Sequence, residues 1–262
     1  MPTAEASAPT AAHLFPVCLA ATFRPGLLDA ARQVLEHLGL RVHIPARLTC
    51  CGQPAFNVGQ WDEARRMARH TIRVLEAHPG PVVVPSGSCA AMLRVHYPAL
   101  FADDPAWGPR AQALAARVYE FSEFIVEVLG ITHVPGARWG GRLTYHPSCH
   151  MTRDLGVTQP PKVLLDHLPG ARRVPLPDEE VCCGFGGAFS AQYPDLAAGI
   201  GEHKVEALQR TAAHVAVTAD PGCLLHLAGM LHRAGVTLPL VHLAELLAAA
   251  LEPDPAAPSS SP

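Results

Sequence analysis

The sequence has few charged and few aromatic residues: 16% of its 262 residues are Asp, Glu, Lys or Arg, and 6% are Phe, Trp or Tyr. The net charge of −3 lacks the basic excess of proteins that bind nucleic acid or anionic membranes. The most apolar stretch, Leu238 to Leu251, is interrupted by His242 and Glu245 and is too short to span a bilayer. Residues 1–13 have neither the positive start nor the apolar run of a signal peptide, which favours a cytoplasmic protein.

Cysteine is the residue type with a clear pattern. The eight cysteines form two sets of the same order and nearly the same spacing, in which a Cys-Cys-Gly lies between two single cysteines. The first set is Cys18, Cys50, Cys51 and Cys89, and the second is Cys149, Cys182, Cys183 and Cys223. Because thiols stay reduced in the cytoplasm, this framework indicates metal or redox chemistry rather than structural disulfides.

The pattern of apolar residues is repeated as well. Short apolar runs, beginning with a predicted strand at residues 14–18, alternate with stretches of helical periodicity in both halves. The repeat predicts an α/β fold of two pseudo-symmetric lobes, each a mostly parallel sheet flanked by helices. We expect a disordered tail at residues 1–12, the first lobe at 13–135, the second at 136–251, and a second disordered tail at 252–262.

The single cysteines each follow a predicted strand and precede a helix. Ligands of open α/β sheets bind beyond the C-terminal ends of the strands, so the cysteines of one lobe can converge there. The glycine after each Cys-Cys pair allows the sharp turn that brings both sulfurs to one site. Four thiolates suit an iron–sulfur cluster or zinc on ligand softness. Buried cysteines without metal, and a vicinal disulfide at each pair, are the alternatives.

Other candidate residues are fewer. His146, His150 and His226 lie beside cysteines and are candidates for metal ligation or proton relay. The segment Gly184-Phe185-Gly186-Gly187 lacks both the lysine of a phosphate-binding loop and the glycine spacing of a dinucleotide site. The sequence indicates no catalytic acid, base or nucleophile.

Four motifs resemble the cysteine-rich CCG domain family of iron–sulfur oxidoreductases, and the resemblance covers roughly Leu14 to Leu251. The motifs are Cys50-Cys51-Gly52-Gln53-Pro54-Ala55, Pro85-Ser86-Gly87-Ser88-Cys89, Tyr145-His146-Pro147-Ser148-Cys149 and Cys182-Cys183-Gly184-Phe185-Gly186-Gly187. The family includes the B subunit of heterodisulfide reductase and the iron–sulfur subunits of glycolate oxidase and anaerobic glycerol-3-phosphate dehydrogenase.

The resemblance implies an electron-transfer subunit of a complex that oxidises L-lactate to pyruvate, with B-like and C-like lactate utilisation subunits as partners. It implies that the second set holds a [4Fe–4S]-type cluster and that the first set holds a second cluster or zinc. The fuller family pattern ends each set in Cys-x-x-Cys, where this sequence has Met92 and His226, so His226 is a possible further ligand. The alternatives are a heterodisulfide or disulfide reductase subunit and a non-catalytic zinc-stapled or electron-transfer adaptor.

Overall fold

Two four-stranded sheets form the centre of the protein. A computed structural model describes residues 8–251; the tail predicted at 252–262 lies outside them, as do residues 1–7. The strand order is β2-β1-β3-β4 in the first sheet and β6-β5-β7-β8 in the second, and all pairings are parallel. The predicted α/β fold of two repeated lobes flanked by helices is therefore confirmed.

The strands are β1 (Ala11–Leu14), β2 (Arg41–His43), β3 (Val82–Val84), β4 (Val118–Glu120), β5 (Gly141–His146), β6 (Ala171–Arg173), β7 (Val215–Thr218) and β8 (Leu240–His242). The first lobe has helices α1 (Cys18–Phe23), α2 (Pro25–His37), α3 (Gln53–Asn57), α4 (Trp61–Glu76), α5 (Gly87–Ala91), α6 (Tyr97–Leu100), α7 (Gly108–Ala115) and α8 (Phe121–Glu123). The second has α9 (Pro160–Asp166), α10 (Ala188–Gln192), α11 (Pro194–Arg210), α12 (Pro221–Arg233) and α13 (Leu243–Ala249). Wider π-helical turns occupy Met92–His96, Phe124–Val128 and His150–Asp154.

The first strand lies earlier than the sequence predicted. It spans Ala11–Leu14 rather than residues 14–18, so it begins inside the segment 1–12 that was predicted as a tail. Ala11 and Ala12 pair with β2, and Ala12 is buried. The N–H of Phe15 makes the last bond to Val83, and Pro16 has no N–H with which to continue the ladder. The chain therefore leaves the sheet before Cys18, which begins α1.

The two lobes exchange their last helices. The segment 129–140, which contains the predicted boundary between residues 135 and 136, has no helix or strand. Helix α13, the last of the second lobe, packs on α2 of the first lobe. Helix α8, its counterpart in the first lobe, packs on α9 of the second lobe. One apolar core accordingly combines side chains from both lobes, among them Leu35 of α2, Leu165 of α9 and Leu246 of α13.

Both exchanged helices begin with the same cap. In α8 the side chain of Glu120 accepts from the N–H of Glu123, whose carboxylate accepts from the N–H of Glu120. In α13 His242 and Glu245 occupy the same two positions. Such reciprocal caps satisfy the free N–H groups of a helix start, so they fix where each helix leaves its sheet.

An ion pair at the lobe boundary should contribute strongly to stability. Arg94 donates to the carboxylate of Glu123 at 2.7 Å and to the carbonyl oxygen of Leu155, which belongs to the second lobe, at 3.1 Å. Arg94→Met should lower the free energy of unfolding by about 2 kcal/mol, because it leaves a mostly buried carboxylate without its cation. Urea unfolding measures this loss. The double variant with Glu123→Gln should recover part of it, and no recovery would contradict the assignment.

Candidate metal centre

All eight cysteines line one cavity between the two lobes. Its volume is about 900 Å³, including its open mouth. The sequence predicted one site per lobe, whereas the structure brings both sets to the wall of the same cleft. Among the other lining residues are Ser86, Ser88, Ser148, His150, Phe185 and Asp220. Both sheets direct the C-terminal ends of their strands here, as parallel α/β sheets do at their ligand sites.

The first set converges from three separate segments of the chain. Cys18 begins α1, the Cys50-Cys51 pair precedes α3, and Cys89 lies in the first turn of α5. The sulfurs of Cys51 and Cys89 are 3.4 Å apart, and the N–H of Gly52 donates to the sulfur of Cys50 at 3.5 Å. Four thiols from distant positions therefore face one small volume.

The second set repeats this geometry. The sulfurs of Cys183 and Cys223 are 3.2 Å apart, those of Cys149 and Cys182 are 4.0 Å apart, and the N–H of Gly184 donates to Cys182 at 3.4 Å. In both sets the second cysteine of the pair and the last single cysteine are buried, while the other two are half-buried. The half-buried sulfurs are thus the solvent-accessible members of each set.

The thiols influence one another electrostatically. Hydrogen bonds from the thiols of Cys18 and Cys51 hold the pKa of Cys50 well below its usual range. Hydrogen bonds from Cys149 and Cys183 do the same for the pKa of Cys182. The pKa of the buried partner thiols Cys51 and Cys183 is raised, chiefly because they donate those bonds and because they are desolvated. Neighbouring thiolates repel, so full deprotonation of a set needs a positive group among the sulfurs, which a bound metal supplies.

Histidine contributes differently in the two lobes. In the second lobe His146 lies with Cys183 and Cys223, all ligand atoms within 4.8 Å of one another. Both ring nitrogens of His146 are buried without a hydrogen-bond partner among the described residues, and desolvation lowers its pKa to about 3. Phe15 occupies the corresponding position, three residues before the first cysteine, in the first lobe. The second site therefore has a neutral imidazole beside its sulfurs, whereas the first has an apolar ring at the corresponding position. The two sites are chemically different.

The other two candidate histidines differ in their distance from the cavity. His150 lines the cavity, and its Nδ1 is 3.7 Å from the sulfur of Cys149. His226 is not among the described residues that line the cavity. Its ring lies 6.0 Å from that of Phe185, and its Nε2 lies 3.2 Å from where a Cβ on Gly184 would be. His226 therefore packs behind the Cys-Cys-Gly loop, whereas His146 lies beside the sulfurs of Cys183 and Cys223 and His150 lies near that of Cys149.

Asp220 and Tyr97 hold the cysteines in place. Neither residue was identified from the sequence. Asp220 caps α12 through the N–H groups of Gly222 and Cys223, and its other oxygen accepts from Ser86 and from the N–H of Ser88 in the first lobe. The buried Tyr97 donates to the carbonyl oxygen of Cys51 at 2.7 Å. The Asp-Pro-Gly start of α12 was a visible cap signal for Asp220. Tyr97 had no such signal, because its contact joins segments distant in sequence.

The arrangement fits a group that binds thiolates. Four sulfurs per set and, in the second set, the unpartnered imidazole nitrogens of His146 form a ligand set suited to a soft or borderline metal, and backbone N–H groups donate to one sulfur of each set. The described residues could thus hold a metal or an iron–sulfur cluster in each set.

A known protein family matches this chain twice, once in each lobe. The family described as "Cysteine-rich domain" (CCG) matches residues 12–94 and 143–228, and each matched segment contains one complete set of four cysteines. The chain belongs to the CCG cysteine-rich domain family. In this CCG chain the matched segments run from β1 to beyond Cys89 and from β5 to beyond Cys223, so the exchanged helices α8 and α13 lie outside both.

Similar proteins are found over most of the chain. It is 44% identical to "Lactate utilization protein A" of Exiguobacterium sp., over 89% of this chain and 95% of the relative. It is 43% identical to the protein of that name from Bacillus pumilus, over 90% of this chain and 98% of the relative. A crystal structure of a hypothetical protein from Helicobacter pylori shares the fold, with a TM-score of 0.69 and 10% identity over 94% of this chain and 50% of that one. No helix within residues 8–251 is both long and apolar enough to cross a membrane.

Proposed function

We propose that this chain is an iron–sulfur redox subunit of a system that oxidises L-lactate to pyruvate. The observation that carries the proposal is the meeting of two four-cysteine sets on one cavity. The curated relatives cited above, each covered over at least 95% of its length, bear the name lactate utilization protein A. The substrate class therefore comes from the relatives, and the redox role comes from the cysteines.

The ligands in this proposal are the two sets of cysteines. Cys149, Cys182, Cys183 and Cys223 would hold a [4Fe–4S]-type cluster, and Cys18, Cys50, Cys51 and Cys89 would hold a second cluster or zinc. When bound, such a cluster takes up and releases single electrons. The N–H groups of Gly52 and Gly184 donate to ligand sulfurs, and bonds of this kind tune the reduction potential. The buried Phe15 and His146 give the two sites unlike surroundings, which favours unequal potentials.

Lactate itself would bind to a partner subunit. A 2-hydroxy acid carries a carboxylate, and none of the described residues that line the cavity is Lys or Arg. Among the lining residues that the structure describes, the only carboxylate is that of Asp220, which already caps α12 and bonds to the first lobe. B-like and C-like lactate utilisation subunits are the proposed partners, and this chain would carry electrons between them and the acceptor.

Anaerobic purification followed by iron, zinc and sulfide analysis tests the redox role. About eight iron and eight sulfide per chain are expected for two four-iron clusters, or about four of each with one zinc for one cluster and one zinc site. Zinc without sulfide would overturn the proposal. Mixing the loaded chain with both partner subunits should make its reduction depend on L-lactate. A loaded chain that L-lactate cannot reduce even with both partners would contradict the substrate assignment alone.

A further inference from the structure

A second group of potential metal ligands lies outside the cysteine cavity. His13 of β1, His43 of β2 and His78 after α4 each offer a ring nitrogen, and these atoms all lie within 4.8 Å of one another. Their ring centroids are 5.0 to 5.7 Å apart. None of the three lines the cysteine cavity. The cluster is therefore independent of the proposed redox centre.

The backbone brings the three rings together. His13 and His43 are paired in register on neighbouring parallel strands, so their side chains lie on the same face of the first sheet. The loop that carries His78 is held by Arg117, which donates to the carbonyl oxygens of Leu75 and His78. This fixes the third ring next to the strand pair, at the edge of the sheet.

His13 has one ring nitrogen available for a metal. Its Nε2 lies 2.8 Å from the carbonyl oxygen of Pro79, which can only accept, so Nε2 carries the proton. The other nitrogen, Nδ1, is buried and has no hydrogen-bond partner among the described residues. A histidine that donates one N–H to a backbone carbonyl while its second nitrogen is free has the tautomer and the orientation found in metal sites.

We propose that His13, His43 and His78 form a binding site for a borderline divalent transition cation, with zinc as the preferred ion. Imidazole nitrogens suit such cations, and three of them leave a fourth tetrahedral position for water or an exogenous ligand. The ion would join β1, β2 and the loop between α4 and β3.

Zinc uptake by the full chain tests the site. Protein dialysed against a chelator-buffered submicromolar zinc solution should bind about one more zinc ion per chain than His43→Ala or His78→Ala. The cysteines are common to all samples, so their zinc cancels in the difference. His43 is exposed, so its replacement should leave the circular dichroism spectrum unchanged. His133→Ala, which changes an exposed histidine outside the cluster, is the matched control and should bind as much zinc as the wild type.

Nitrogen NMR of the imidazole rings gives the second readout. Zinc should shift the ring signals assigned to His13, His43 and His78 in the wild type and in His133→Ala. Equal zinc content in the wild type and His43→Ala, or ring signals that do not move, would overturn the site. Neither result bears on the iron and sulfide content that tests the redox centre, so the two proposals fail separately.

Discussion

Replacing Cys182 with serine should remove the metal group from the second set and lower lactate-dependent electron transfer by the reconstituted complex at least about 100-fold. Hydrogen bonds from two neighbouring thiols hold the pKa of Cys182 low, so it is the member of its set that most readily becomes a thiolate. It also accepts the N–H of Gly184. A serine hydroxyl has nearly the same size, but it stays protonated and is a hard ligand.

Cys50→Ser is the matched control for this variant, because Cys50 has the same position, half-buried exposure and N–H contact in the first set. Each variant should lose the metal of its own set and retain that of the other, which metal and sulfide analysis measures. Loss of both groups from either variant would show that the shared cavity couples the two sites. Full iron content in Cys182→Ser, with native circular dichroism, would contradict its role as a ligand.

Convergence within each lobe could be predicted from sequence. The single cysteines follow short apolar runs, and parallel strands that are joined by helices end at one edge of a sheet. That rule predicts that Cys149 and Cys223 lie at the same edge of the second sheet, and in the structure they follow the neighbouring strands β5 and β7. The turn at each Cys-Cys pair could be predicted too, because Gly52 and Gly184 both adopt the positive φ that glycine tolerates.

The relation between the lobes could not be predicted in this way. It depends on contacts between distant residues, such as the approach of Gly87 to Met151, where an added Cβ would come within 2.6 Å of the Met151 side chain. The bonds from Ser86 and Ser88 to Asp220 act across the same boundary. These contacts make one cavity from two sites. The exchange of α8 and α13 could not be predicted for a similar reason, since two lobes with the same strand order offer each helix two possible sheets to pack against.

Only the structure shows that His146, and not His226, lies beside the cysteine sulfurs. Spacing draws attention to His226, three residues after Cys223, where the fuller family pattern has a cysteine. In the folded chain α11 packs beside α12, and the ring of His226 fills the space next to Gly184 and Gly201. His146 ends β5, and the strand directs it to the sulfurs.

Replacing the glycine of a Cys-Cys-Gly with alanine should lower the free energy of unfolding much more in the second lobe than in the first. Both glycines have a positive φ, +94° at Gly184 and +90° at Gly52, which costs a side-chain-bearing residue about 1–2 kcal/mol. At Gly52 the new Cβ would lie 3.3 Å from the Cβ of Met67 in α4, a contact that a shift of a few tenths of an ångström relieves. At Gly184 it would lie close against the carbonyl oxygen of Ala197 in α11, a backbone atom of a regular helix.

Gly184→Ala must therefore displace α11 or the loop, and we expect it to lower the free energy of unfolding by about 3 kcal/mol or more. Gly52→Ala should cost about 1–2 kcal/mol. Urea unfolding of both variants in the metal-free, reduced state measures the difference without a contribution from lost metal. Equal losses would mean that the loop of the second set relaxes as freely as that of the first. A larger loss at Gly184 would show that α11 fixes the position of Cys182 and Cys183, so that the second set is held rigidly even before metal binds.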